Sequence, residues 1–560
     1  MKVAEIIVKI LESEGIRAAF GIPGAAINPV YEYLGESKLI QHYLARHEEG
    51  AVHAADGYYR ACHIMALAIC TSGPAATNFV TGLYTAQIDS IPLIAITGQN
   101  VRAQLGKDAF QCVDIAAIAR PVCKASWCIT EPAQVPSIMR LAFRTAREGR
   151  PGPVLLDIPL DVQLADIPYS PDQHAPLPVL MPAPDPAQLE QALDVLLSAQ
   201  KPVIIMGGGV LLSGATEVFR EFVEYLSLPV ITTYMATGGI PANHPLHVGH
   251  IGIQVGSPFG NQFFLDSDLV LGVGCRFTDR HTGKLEVYTR GRRFIHIDIE
   301  PSQIGRIVPT ELGIVADAKL ALQGLLDIAR RRMPPQPPSE RVAAIPARRA
   351  ALARRTDFDQ IPIKPQRIYQ DINEFFGQNT IFTTGCGLTQ IWSGQFQSIA
   401  QPNTYLASGG AGTLGYDLPA AIGAKIACPH QIAVAVMGDG GFQFTMEELA
   451  MACHYRIPVI VIIVNNGYLS LIRQNQRFAY EYEYAVDLTY TNNTSQRGLD
   501  FVQLAHSFGA YGERVERPED IQKAFDRAVK SGKPAVIDII VERETNAAMG
   551  AALDAIREFD

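Results

Sequence analysis

Residues 432–442, Ile-Ala-Val-Ala-Val-Met-Gly-Asp-Gly-Gly-Phe, and residues 459–467, Val-Ile-Val-Ile-Ile-Val-Asn-Asn-Gly, follow one plan twice. Each is an unbroken apolar run that stops at a turn-forming, oxygen-bearing sequence. Such runs read as strands buried on both faces, the pattern of a parallel sheet. Parallel strands open onto one carboxyl edge, where ligands bind in α/β folds. Asp439 and Asn466 would arrive there as a carboxylate and an amide oxygen, hard donors suited to Mg²⁺. Gly438, Gly440 and Gly441 would let the backbone approach a diphosphate with no Cβ in the way. Singly, each motif is an ordinary turn former; the pairing after two buried strands points to a site.

Working outward, the same alternation of short apolar runs, glycine turns and helical stretches fills the 560 residues. It divides them into three blocks, about 1–165, 190–330 and 365–545. Strand readings fall at 18–21, 65–69 and 93–97 in the first block and at 202–206, 269–273 and 294–299 in the second. In the third they fall at 380–384, 432–437, 459–464 and 535–541. Val3, Ile6, Ile7, Ile10 and Leu11 recur at helical spacing before Gly15. Pro-rich passages near 167–186 and 331–364 read as linkers, and the Arg cluster in the second as a solvated face. The tail from 542 reads as a partly exposed helix. The fold class is α/β, with three doubly wound parallel-sheet domains expected.

Composition sets outer limits. Hydrophobic residues make up 48% and charged residues 18%, which excludes a disordered chain. A formal charge of −9 argues against a nucleic-acid binder. The nine cysteines form no Cys-x-x-Cys and sit mostly in apolar runs, so they read as buried free thiols. The glutamates at 5, 12 and 14 do not suit a signal peptide, and the run 457–464 is too short to cross a bilayer. The expectation is a cytoplasmic protein with neither nucleic-acid nor membrane partners.

With these residues in view, the 438–466 segment resembles the thiamine-diphosphate-binding motif of the family containing acetohydroxyacid synthase, pyruvate oxidase and glyoxylate carboligase. The resemblance spans nearly the whole chain. It implies pyrimidine-binding, Rossmann-like middle and diphosphate-binding domains, in that order. It also implies Mg²⁺ held by Asp439, Asn466 and the Tyr468 carbonyl.

Glu48, in Arg-His-Glu-Glu-Gly-Ala (46–51), would lie against N1′ of the aminopyrimidine and share its proton. Spacing alone reads Glu48 as part of a surface helix. Pro23, Gly24, Gly73, Asn78 and Leu469 would line the cofactor, and Gln111 the mouth of the site. The Gly412 carbonyl would accept from the 4′-amino group, and Leu414 would wedge the rings into their bent form, although without the resemblance Leu414 reads nearly as well as ordinary core. Leu471 would shape the substrate pocket, and Arg276 or Arg473 would pair with an acceptor carboxylate. The stretch 274–283 resembles a flavin-binding segment, with Gly208, Arg276, Asp298 and Asp317 as FAD-binding residues and the flavin structural. The resemblance further implies a homodimer or homotetramer acting on a small 2-oxo acid.

Residues 20–29 and 468–476 are very similar to those of glyoxylate carboligases, and Asn475 stands where acetohydroxyacid synthases carry Trp. The leading expectation is condensation of two glyoxylates to tartronate semialdehyde and CO₂. Two departures stand against it: glyoxylate carboligases carry Val at the Glu48 position, and their diphosphate loop differs from Gly-Asp-Gly-Gly-Phe. The alternatives are acetolactate synthesis, or another 2-oxo acid carboligase or lyase. A non-catalytic cofactor-binding regulator is the third, and joint retention of Glu48, Asp439 and Asn466 argues against it.

Overall fold

The computed structural model describes residues 1–490 and 498–559. Its first sheet contains β1 (Ala18–Gly21), β2 (Gln41–Leu44), β3 (Leu67–Cys70), β4 (Ile94–Gln99), β5 (Ala125–Cys128) and β6 (Val154–Pro159). The second contains β7 (Pro202–Met206), β8 (Val230–Thr232), β9 (His247–His250), β10 (Leu269–Val273), β11 (Arg293–Asp298) and β12 (Leu312–Val315). The third contains β13 (Thr380–Thr384), β14 (Tyr405–Ala407), β15 (Ile432–Gly438), β16 (Val459–Asn465), β17 (Tyr511–Val515) and β18 (Ala535–Ile540).

Each sheet is six-stranded, and every pairing within it is parallel. The first and third share one order, β2-β1-β3-β4-β6-β5 and β14-β13-β15-β16-β18-β17. The second runs β12-β11-β10-β7-β8-β9, the Rossmann order read from its other edge. The fold is thus α/β, built as three parallel sheets with flanking helices.

The unbroken apolar runs became central strands. β15 and β16 pair in register from Ala433↔Val459 to Gly438↔Val464, with nearly every side chain buried. This register sets Asp439 and Asn466 on adjacent loops of one edge. In the middle of the chain, the 331–364 passage contains two short helices, Glu340–Ala343 and Ile345–Ala351.

Two expectations are corrected. The tail after β18 is not helical. Met549–Gly550 pairs antiparallel with Ile556–Arg557, and Gln474 grips the Ala547 backbone at both its N–H (3.0 Å) and its carbonyl (2.8 Å). Gln395 takes the Ala548 carbonyl at 2.7 Å. These side chains claim the backbone groups a helix would have used. Nor are the cysteines mostly buried. Only Cys70, Cys123 and Cys275 are, Cys128 is exposed, and all nine are free thiols. Among the described residues no helix is long and apolar enough to cross a membrane.

The first and third domains meet along two small-residue helices, Glu48–Cys62 and Asp417–Ala427. A Cβ on Gly423 would stand 1.9 Å from the Ala54 carbonyl, and one on Gly57 would stand 2.2 Å from that of Ala420. Beside this contact lies a buried polar knot. Arg60 binds Asp56 (2.6 Å), Asp89 (3.1 Å) and the Ala407 carbonyl (2.9 Å), while Tyr416 donates to Asp56 at 2.8 Å. Removing one partner from such a knot strands charge away from water. Arg60→Met is expected to cost on the order of 3–5 kcal/mol, read as a lower midpoint in chemical denaturation. A change under about 1 kcal/mol would show that the knot tolerates water.

Candidate functional site

At the edge of the third sheet, Asp439 opens a one-turn helix, Asp439–Phe442, directly after β15. Its carboxyl is buried and accepts the Asn466 backbone N–H. Burial pushes it up to about 7, and no positive charge is among the main influences on it. The Asn466 side-chain oxygen accepts from the Tyr468 N–H (3.2 Å) and the Ser470 hydroxyl (2.8 Å). Ser470 also approaches the Tyr468 carbonyl at 3.1 Å. The three expected metal ligands therefore lie together, as an oxygen set around an uncompensated buried carboxyl. This arrangement fits a hard cation with further oxygens from a ligand or water.

The expected cofactor residues of this edge gather around the same point. A Cβ on Gly440 would meet Leu469 at 2.8 Å, and one on Gly441 would meet Leu414 at 3.9 Å. Gly438 faces the Thr389 hydroxyl. Gly412 adopts a positive φ of +63°, and a Cβ there would stand 3.5 Å from the Cys386 sulfur. Leu471 lies half-buried on the following helix, Ser470–Asn475, against the third core. Glycine backbone with no Cβ, set among the Thr389, Leu414 and Leu469 side chains, is the cradle a diphosphate requires.

At the edge of the first sheet, Glu48 is the first residue of its helix and is buried. Asn78 donates its amide N–H to Oε2 at 2.9 Å. The helix start is fixed from the third domain, because Glu448 Oε1 accepts the backbone N–H groups of Arg46 (3.0 Å) and His47 (2.9 Å). Burial raises the Glu448 carboxyl to about 7, and its other oxygen is buried with no hydrogen-bond partner among the described residues. Pro23 and Gly24 follow β1, where Gly24 packs on Thr71 at 2.6 Å from its would-be Cβ. Gly73 (φ +66°) stands just before the helix Pro74–Asp89 and packs against Gln111, itself at φ +57°. The Gln111 loop is anchored by Gln99 on the Val113 carbonyl (2.7 Å) and Asn100 on the Phe110 carbonyl (2.9 Å). Phe110 is 85% exposed at its tip.

These two edges are separate within one chain: the Glu48–Asn78 pair and the Asp439–Asn466 group share no hydrogen bond or ion pair among the described residues. A third group fills the middle. Gly208, Arg276, Asp298 and Asp317 line one cavity of about 360 Å³, with Arg60, Arg150 and Gly410 from the flanking domains. It lies at the switch point between β7 and β10, where the Gly274 backbone crosses Gly209. Burial raises the Asp298 carboxyl, and Asp317 caps the helix Ala318–Arg332. The volume, glycine crossing, guanidinium and carboxylates fit a dinucleotide.

Neither arginine expected to meet an acceptor carboxylate is free to do so. Arg276 lines this middle cavity and donates to the Ile88 carbonyl. Arg473 is committed to Glu483 and Glu544, both at 2.7 Å. Sequence reasoning missed Glu448, Thr389, Cys386 and Arg543. Only Glu448 left a signal, as a carboxylate set directly before Leu-Ala-Met.

Comparison with known proteins agrees with this layout. The thiamine pyrophosphate enzyme N-terminal TPP binding domain matches residues 1–118, the central domain 189–325 and the C-terminal TPP binding domain 385–539. A glyoxylate carboligase of Escherichia coli O157:H7 is 45% identical over 100% of this chain and 96% of that protein. An acetolactate synthase large subunit of Corynebacterium glutamicum is 39% identical over 96% of this chain and 86% of its own length. A probable acetolactate synthase large subunit of Methanocaldococcus jannaschii is 38% identical, over 97% and 92%. With all three domains matched in order on three parallel sheets, the chain belongs to the thiamine pyrophosphate enzyme family, as a thiamine-diphosphate-dependent carboligase.

Proposed function

We propose that the protein condenses two glyoxylates to tartronate semialdehyde with release of CO₂. The observation that carries this reading is the 45% identity to a glyoxylate carboligase along the full chain, against 38–39% for the two acetolactate synthases. Asn475 in place of a bulky Trp supports the same small-substrate pocket.

Asp439, Asn466 and the Tyr468 carbonyl would hold Mg²⁺, with the Gly438, Gly440 and Gly441 backbone beside the diphosphate. When bound, thiamine diphosphate supplies the carbon nucleophile and the electron sink for decarboxylation. Glu48 holds and returns a proton at its carboxylate, and Asn78, bonded to Oε2, fixes its orientation. Leu414 and the Gly412 carbonyl set the shape of the floor. Leu469, Leu471 and Gln111 exclude water and bound the space open to the 2-oxo acid. Gly208, Arg276, Asp298 and Asp317 would hold FAD in a structural role. The acting form is a homodimer or larger, in which the first-sheet edge of one copy faces the third-sheet edge of its partner. Exposed Phe110 on the one edge, and exposed Phe444 and Ile472 on the other, suit burial against a second chain.

A second reading, acetolactate formation from pyruvate, is favoured by one residue. Glu48 stands where glyoxylate carboligases carry Val.

Purified protein supplied with thiamine diphosphate, Mg²⁺ and FAD is expected to release CO₂ faster from glyoxylate alone than from pyruvate alone. The reverse preference would move it to the acetolactate branch. Glu48→Gln is expected to lower kcat by roughly 10²–10⁴-fold while cofactor affinity holds; an unchanged kcat would remove Glu48 from the proton path. Sedimentation is expected to show a dimer or tetramer, and an active monomer would refute the shared site.

A further inference from the structure

Arg543 lies in the turn after β18, far in sequence from the metal-binding loop, yet three of its contacts converge on that loop. Its Nε donates to the Asn466 carbonyl at 3.1 Å. An Nη donates to Asp487 at 3.1 Å, and Asp487 is bridged antiparallel to Tyr468. Its guanidinium centre stands 3.9 Å from the Tyr468 ring centroid.

The approach is possible because residue 467 is glycine, at φ +69°. A Cβ there would already stand 3.6 Å from the guanidinium and 3.0 Å from Thr489. A second guanidinium, that of Arg473, lies 4.1 Å from the same ring centroid. Two planar cations at such distances fit only on opposite faces, so Tyr468 is sandwiched. Each is neutralised locally, Arg543 by Asp487 and Arg473 by Glu483 and Glu544. Little net positive field remains to repel a cation.

We infer that Arg543 is a positioning residue for the cation site, an inference that rests on the reading of Asp439, Asn466 and Tyr468 as its ligands. The guanidinium fixes the peptide between Asn466 and Gly467, and so aims the Asn466 side chain. By stacking on the ring it also fixes the direction of the Tyr468 carbonyl. An ion pair as open to water as Arg543–Asp487 adds little stability by itself, which leaves loop geometry as its contribution. Only a planar fork can serve a carbonyl, a carboxylate and a ring face together.

The test is Mn²⁺ binding in the presence of thiamine diphosphate, read from the electron paramagnetic resonance signal of free Mn²⁺. Mn²⁺ is a hard octahedral ion like Mg²⁺. Arg543→Ala is expected to weaken Mn²⁺ about 10–100-fold, with Arg543→Lys in between. At saturating metal, KM for the 2-oxo acid is expected to stay within about twofold. Wild-type Mn²⁺ affinity in Arg543→Ala would overturn the inference. Should that variant not fold, wild-type affinity in Arg543→Lys would do the same. Failure of the wild-type protein itself to bind Mn²⁺ would overturn the site reading, and this inference with it.

Discussion

Every strand pair in each six-stranded sheet is parallel, and this constraint organises everything else in the molecule. A parallel sheet sends all its outgoing loops to one edge, and the strand order decides which two loops part to leave a crevice. In the third sheet the reversal falls between β13 and β15, so the crevice opens between the Gly385–Cys386–Gly387 turn and Asp439. In the first it falls between β1 and β3, between Gly24 and Thr71. In the second it falls between β7 and β10, where the glycine crossing floors the middle cavity. Three sheets give three crevices, and each receives one of the residue groups argued to carry chemistry.

The first and third domains share an apolar core, and polar groups join them as well. The Gly57–Gly423 contact lets two helices approach until backbone meets backbone, and leaves no room for side chains between them. The Arg60 knot and the Glu448 cap then fix the helix that begins at Glu48. Buried ionic groups are weak sources of stability and can specify geometry. Here they hold the orientation of that helix, and with it the direction of Glu48, from a different domain. Glu48 is placed by its own strand and turn, by Asn78 thirty positions on, and by Glu448 four hundred positions on.

That span explains what could be read from the chain and what could not. Central strands were legible because burial on both faces leaves unbroken apolar runs, as in β10, β15 and β16. Eight strands of the three sheets carry no strand reading in the sequence. Six of them, β2, β5, β9, β12, β14 and β17, are sheet edges, short or partly polar, because one side of an edge strand has no partner strand. The other two, β6 and β8, are interior: β6 carries Asp157 and ends in Pro159, and β8 is only three residues long. Asp439 and Asn466 were legible because strand and loop are contiguous. Arg543 was not, since nothing local distinguishes it from a surface arginine. Its contacts exist only because β18 pairs with β16. The tail departs from its helical reading for the same reason: Gln474 and Gln395, which hold its backbone, lie more than seventy positions earlier.

The middle cavity bears on how the three domains are held together. Its lining comes from all three domains: Arg60, Ile88 and Arg150 from the first, Gly208, Arg276 and Asp317 from the second, and Tyr405 to Gly410 in part from the third. Arg280 reaches from this wall to the Gly409 carbonyl at 3.0 Å and to Gln390 at 2.9 Å, beside the loop that carries Gly412. A ligand filling this space would touch the Gly409–Gly410 backbone, and none of Glu48, Asp439 and Asn466 lines it. Its contribution would be to hold three domains in one arrangement beside the loop that carries Gly412.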